Sequence, residues 1–247
     1  MSQKNSIRNT ESHWFFYFCG VSVILHIETA TKNCSVAISQ LGSMIALKEL
    51  YSEQFSHSER LHEFIQEVLK DAQMEMSSLD AVAVSKGPGS YTGLRIGVAA
   101  AKGICFAMDL PMIAVNSLQI LSEKYQDTNQ AILFPMFDAR RMEVYVMVLN
   151  EKKEILKPSF AEVLSAESFN EFPTDVQWIF MGEGAEKCKQ VFDAPQIEYR
   201  SDIRYPSAAE MVSLAWKAFQ DKNFEDVAYF EPFYLKDFYT TAKKIGE

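Results

Sequence analysis

Five of the ten glycines in this 247-residue chain, Gly87, Gly89, Gly93, Gly97 and Gly103, fall within seventeen consecutive positions. The last three lie in a stretch, Thr92 to Met108, that reads as one helix, and a glycine inside a helix costs about 1 kcal/mol relative to alanine. A helix that carries three of them needs a compensating gain, and close approach of another backbone is the usual one. Gly93, Gly97 and Ala101 recur at four-residue intervals and so share one helical face, which leaves a smooth groove for a neighbouring element. That neighbour is either a helix of a partner protein or the chain's own sheet.

The pattern around this helix sets the fold class. Three β-like segments, Val23 to Ile27, Cys34 to Ile38 and Met44 to Tyr51, are separated by short polar turns and predict an antiparallel meander. A helix follows in which Ser56 and Glu59 match a capping box and Leu61, Phe64, Ile65, Val68, Leu69 and Ala72 recur at helical spacing. A strand from Ala81 to Val84, the glycine loop and its helix, and a strand from Met112 to Val115 complete a βββαβαβ unit of ribonuclease-H-like order. The second half repeats it more loosely, with strands near Ile132 to Phe137, Glu143 to Leu149, Glu154 to Pro158 and Gln177 to Met181, a short helix over Ala166 to Glu171, and a last helix from Pro206 to Phe219. The expectation is an α/β protein of two tandem βββαβα lobes, the architecture of the actin, hexokinase and Hsp70 group. The lobes are expected over residues 21–120 and 121–236, with a tail over 237–247.

Residues 1–20 stand apart. Lys4 and Arg8 precede an apolar run from Trp14 to Leu25 that superficially resembles a signal peptide, but twelve residues fall short of the roughly 20 a spanning helix needs. The segment is expected to be a surface extension, or to reflect an upstream start with Val21 as the initiator. A cytoplasmic protein without a membrane span is the reading.

Charge narrows the function. With 24 basic and 33 acidic side chains the net charge is -9, the wrong sign for a chain that grips a phosphate backbone unaided. Cys19, Cys34, Cys105 and Cys188 are too scattered for a zinc knuckle or a disulfide framework. His57 and His62 lie five apart, about 140° around a helix at about 100° per residue, and do not grip one ion.

The loop Ser85 to Thr92 leads from a strand into a helix start, where free amides favour an anion. It is neither a Walker loop, since Leu94 follows Gly93, nor a dinucleotide fingerprint, since Thr92 takes the third glycine position. Thr29, Thr31 and Ser35 form a second hydroxyl-rich loop. Together Thr29, Thr31, Gly87, Gly89, Ser90 and Thr92 are the candidates to face a phosphate or nucleotide, and turn or capping hydroxyls are the alternative.

Five segments carry a family resemblance: His26 to Thr31, Gly87-Pro88-Gly89-Ser90-Tyr91-Thr92-Gly93-Leu94-Arg95-Ile96-Gly97, Pro111 with Val115 to Leu118, Asp138 to Tyr145, and Pro232-Phe233-Tyr234-Leu235-Lys236. Together they resemble the TsaB family, also called YeaZ. The resemblance implies a subunit of tRNA threonylcarbamoyladenosine synthesis that pairs with the catalytic protein TsaD, with the ATPase TsaE joining them, and that reaches tRNA only through the complex. It implies no catalytic residue and no metal or cofactor of its own, with ADP or ATP expected at most at the boundary with the partner. It also implies a pairing surface built from the helices Ser58 to Lys70 and Thr92 to Met108, which places Arg60 and Arg95 beside Gly93, Gly97 and Ala101, and a homodimer when the partner is missing. Glu28 stands where many members carry aspartate, and the longer side chain would displace a magnesium ion held there.

Two enzyme classes compete with that reading. A peptidase or glycosidase would need an activated nucleophile or a carboxylate pair, and GxSxG, HExxH and Cys-His signatures are missing. An actin-like small-molecule kinase would need a catalytic aspartate, for which Asp138 is the candidate; its competing role is to cap the turn it begins, beside Arg140 and Arg141.

Overall fold

The computed structural model describes residues 22–53, 57–127 and 129–236. The expectations for the first twenty residues, for Ser56 of the capping box and for the tail after 236 lie outside them.

Two five-stranded sheets with the same topology form the molecule. The first contains β1 (Val23–Glu28), β2 (Asn33–Gln40), β3 (Ser43–Tyr51), β4 (Ala81–Gly87) and β5 (Met112–Asn116) in the order β3-β2-β1-β4-β5. β1, β2 and β3 pair antiparallel, while β4 and β5 extend the sheet in parallel from β1. The second contains β6 (Ala131–Asp138), β7 (Glu143–Asn150), β8 (Ile155–Val163), β9 (Gln177–Met181) and β10 (Ile197–Arg200) in the order β10-β9-β6-β7-β8, again a meander followed by two parallel strands. This is the tandem, two-lobed actin-like architecture expected from the sequence.

Parallel strands need long crossovers. In the first lobe these are α1 (His57–Asp71) and α2 (Tyr91–Met108), whose apolar faces bury Leu25 and Ile27 on one side of β1. In the second they are reduced. The helix expected over Ala166 to Glu171 is a run of turns, and only α4 (Ala185–Cys188) separates β9 from β10. Aromatic packing stands in for the missing helix: Phe134, Phe169, Phe172, Trp178 and Phe180 interlock with centroids 5.0–6.1 Å apart.

The expected lobe boundary does not hold for the end of the chain. α5 (Ala208–Gln220) returns to the first sheet, where Met211 and Ala215 pack on Ile24, Ala81 and Ala83 across the face opposite α1 and α2. The short α3 (Ser117–Ser122) is wedged between the lobes, with Ile120 in the first lobe's core and Leu118 and Leu121 in the second's. Among the described residues, no helix is long and apolar enough to cross a membrane.

Candidate functional site

β4 ends at Gly87, whose φ of +109° places it in the region that favours glycine. From there the chain presses directly on the turn after β1. Ser90 donates its N–H to the Ala30 carbonyl at 2.7 Å, and a Cβ at position 89 would collide with that same carbonyl. The Ser90 hydroxyl caps α2 by accepting the Gly93 N–H at 3.2 Å. Thr29, fully buried, donates its hydroxyl to the Gly93 carbonyl at 2.8 Å.

The two loops expected to face a phosphate are bonded directly to each other. Thr31 is buried and accepts the Asn33 N–H at 3.4 Å, and Ser35 accepts the Ala208 N–H at 2.9 Å at the start of α5. Gly87 donates its N–H to the Ser117 hydroxyl at 3.2 Å. Of the six candidate residues, Thr92 alone is exposed.

Glu28 is buried completely, its Oε1 accepts the Ala30 N–H at 2.6 Å and its Oε2 has no partner. Burial pushes its carboxyl up to about 8, so at neutral pH it is predominantly uncharged. A magnesium-bound phosphate asks for an anionic oxygen presented to solvent, and the residues around Glu28 do not fit that group. His26, beside it on β1, hydrogen-bonds Ser39 through Nε2 at 2.7 Å, and burial lowers its pKa to about 3.

The small-residue face of α2 is also corrected. Gly93, Gly97 and Ala101 are buried against the chain's own sheet, and a Cβ on residue 97 would run into the Thr29 hydroxyl. The groove fits β1 and its following turn, so these three are core residues. The face left to solvent is the opposite one, where Arg95, Ala99, Gly103, Phe106 and Ala107 are exposed. Nothing lies within 4 Å of where a Gly103 Cβ would stand, and Phe106 is 86% exposed. On α1, Arg60 is exposed and pairs with Glu63 at 2.8 Å, one turn along a polar outer surface.

Sequence reasoning missed a strap. Residues 225–236 run from the β5 edge, where Glu225 donates its N–H to the Met112 carbonyl, along α2 to the glycine loop. Lys102 donates to the carbonyls of Ala228 and Phe230 at 3.1 and 3.0 Å, and Phe233 donates its N–H to the Lys86 carbonyl at 2.7 Å. Arg95 stacks on Tyr91 at 4.2 Å and donates to the Tyr234 hydroxyl at 3.2 Å. Lys236 reaches Glu143 in the second lobe. A clue was available: Lys102 is the only charge between Arg95 and Asp109.

Asp138 accepts the Arg140 N–H at 2.6 Å and the Lys187 ammonium at 2.7 Å. It caps the β6–β7 turn and ties it to α4. Among the described residues, no group of three or more His, Cys, Asp or Glu side chains is placed to hold a metal ion.

Comparison with known proteins agrees over most of the chain. A family model described as TsaD, tRNA N6-adenosine threonylcarbamoyltransferase, matches residues 52–244. The tRNA threonylcarbamoyladenosine biosynthesis protein TsaB of Haemophilus influenzae is 29% identical over 240 residues, 90% of this chain and 97% of that protein. The protein of the same name from Escherichia coli is 28% identical, covering 87% and 94%. Among solved structures, YeaZ from Pseudomonas aeruginosa superposes with a TM-score of 0.75 at 27% identity, over 87% of this chain and all of that one.

Proposed function

The chain belongs to the TsaB (YeaZ) family, within the wider group that the TsaD model describes, and on that premise we propose that it is a non-catalytic partner subunit in tRNA threonylcarbamoyladenosine synthesis. It pairs with a TsaD-like catalytic subunit, a TsaE-like ATPase joins the assembly, and tRNA is met only through the complex, in the cytoplasm. The acidic balance of -9 is consistent with that indirect route to tRNA. Nucleotide, where the assembly carries it, sits at the boundary with the partner, because the loops around Glu28 and Ser90 are closed on each other.

The single observation that carries the pairing role is the outer face of α2. A phenylalanine 86% exposed beside Gly103, Ala99 and Ala107 stabilises nothing in the isolated chain, yet offers an aromatic knob and a shallow strip on which a helix can lie. The same face serves a homodimer when the partner is missing.

Replacing Gly103 by Trp fills that strip without touching the core. The expected result is loss of pairing with the TsaD-like protein, read by analytical ultracentrifugation, with a melting temperature no lower than wild type. Pairing at wild-type strength would remove α2 from the interface.

A further inference from the structure

The two most exposed aromatics in the described chain are Phe106 on α2, at 86%, and Tyr229 on the strap, at 85%. They flank the same lysine. Lys102 lies one helical turn before Phe106, and its ammonium holds the carbonyls of Ala228 and Phe230, the residues on either side of Tyr229. Asp226 fixes the turn from the other end, its Oδ1 accepting the N–H groups of Ala228 at 2.8 Å and Tyr229 at 3.3 Å, while its carbonyl accepts that of Phe230 at 2.8 Å. Val227 and Phe230 pack on the first lobe's core.

Tyr229 is thus an exposed ring on a turn whose neighbours on both sides are fixed. Presenting a large ring on an ordered turn lowers the entropy lost on binding, the property of a residue that dominates an interface. We infer that Tyr229 and Phe106 form one aromatic patch, built from strap and helix together, that docks on the catalytic partner. This rests on the pairing role proposed above and extends it beyond the two helices. Continuity argues for that occupant: the patch prolongs the exposed strip of Ala99 and Gly103. Charge describes the partner's side. Asp226 and Glu231 border the patch on the strap, whereas on α1 Glu63 and Glu67 are paired with Arg60 and Lys48, so the matching surface is apolar at its centre and carries basic groups where it meets the strap.

The test measures affinity of the full-length chain for the TsaD-like protein of the same organism by titration calorimetry, with wild type, Tyr229→Ala, Tyr229→Phe and Phe106→Asp. Tyr229→Ala is expected to weaken binding about tenfold or more at unchanged melting temperature, Tyr229→Phe to keep most of it, and Phe106→Asp to abolish it. If Tyr229→Ala binds like wild type while Phe106→Asp does not, the strap lies outside the interface and this inference falls with the pairing role intact. If Tyr229→Ala loosens only self-association, the occupant is a second copy and the inference also falls. If wild type does not bind, both readings fail together.

Discussion

Thr29 and Gly97 meet where β1 gives way to its turn: the Thr29 hydroxyl donates to the Gly93 carbonyl at 2.8 Å, and its oxygen occupies the space that any Cβ on residue 97 would need. The glycine-rich helix is therefore matched to its own sheet, and its opposite side is left exposed.

Gly97 and Gly103, six residues apart on one helix, should respond oppositely to alanine. Gly97→Ala overpacks the contact with Thr29 and is expected to cost about 1–3 kcal/mol. Gly103→Ala meets nothing within 4 Å and is expected to gain up to about 1 kcal/mol from helix propensity. Urea denaturation of the two variants checks this; equal midpoints would mean that the contact is loose.

The difference between those glycines shows where sequence reading stops. Four-residue spacing identified a special face of α2, and energetics said that something packs on it closely, but periodicity has no means of telling a partner's helix from the chain's own strand. The decisive residue, Thr29, lies 64 positions from its hydrogen-bond partner. The three-strand meander that opens each lobe was legible because its strands are short apolar runs and the turns between them are short and polar. β10 and α3 were not: Ile197–Arg200 is a four-residue, half-buried strand, and Ser117–Ser122 is too short to show a period. The strap escaped because residues 225–236 have no regular structure and are held by Lys102, Arg95 and Lys86 from far away in sequence.

Thr29→Val keeps the shape and removes the hydroxyl. It is expected to lower stability by about 1 kcal/mol, the net worth of one buried hydrogen bond, and to leave complex formation intact. A variant as stable as wild type but defective in a nucleotide-dependent step would return Thr29 to a ligand role.

Glu28 and His26 should shape the dependence of stability on pH in opposite senses. Glu28, raised from 4.5 to about 8 by burial, holds a proton in the folded chain that the unfolded chain has released, so its contribution declines as pH rises through that window. His26, lowered from 6.5 to about 3 by burial, binds fewer protons when folded, so its contribution declines as pH falls from 6.5. The two oppose each other between pH 4.5 and 6.5, and above that Glu28 acts alone. Glu28→Gln is expected to flatten the fall in stability between pH 6.5 and 8, an effect on the order of 1 kcal/mol per pH unit. An unchanged slope in chemical denaturation across that range would show that Glu28 is ionised in the folded chain.

Lys102→Met keeps the packing stem and removes the ammonium that pins the strap. Hydrogen exchange at the Phe233 amide, which bonds Lys86 at 2.7 Å, is expected to quicken, with about 1 kcal/mol of stability lost. Protection equal to wild type would mean that Val227 and Phe230 hold the strap by packing alone.

The most direct measurement mixes the purified chain with the TsaD-like protein of its organism and follows tRNA threonylcarbamoylation with each component omitted in turn, in the presence of the TsaE-like ATPase and the activated threonylcarbamoyl donor. The account predicts a stable complex and modification that stops when this chain is left out. No complex, together with ATP hydrolysis by the chain alone on a hydroxylated small molecule, would contradict it.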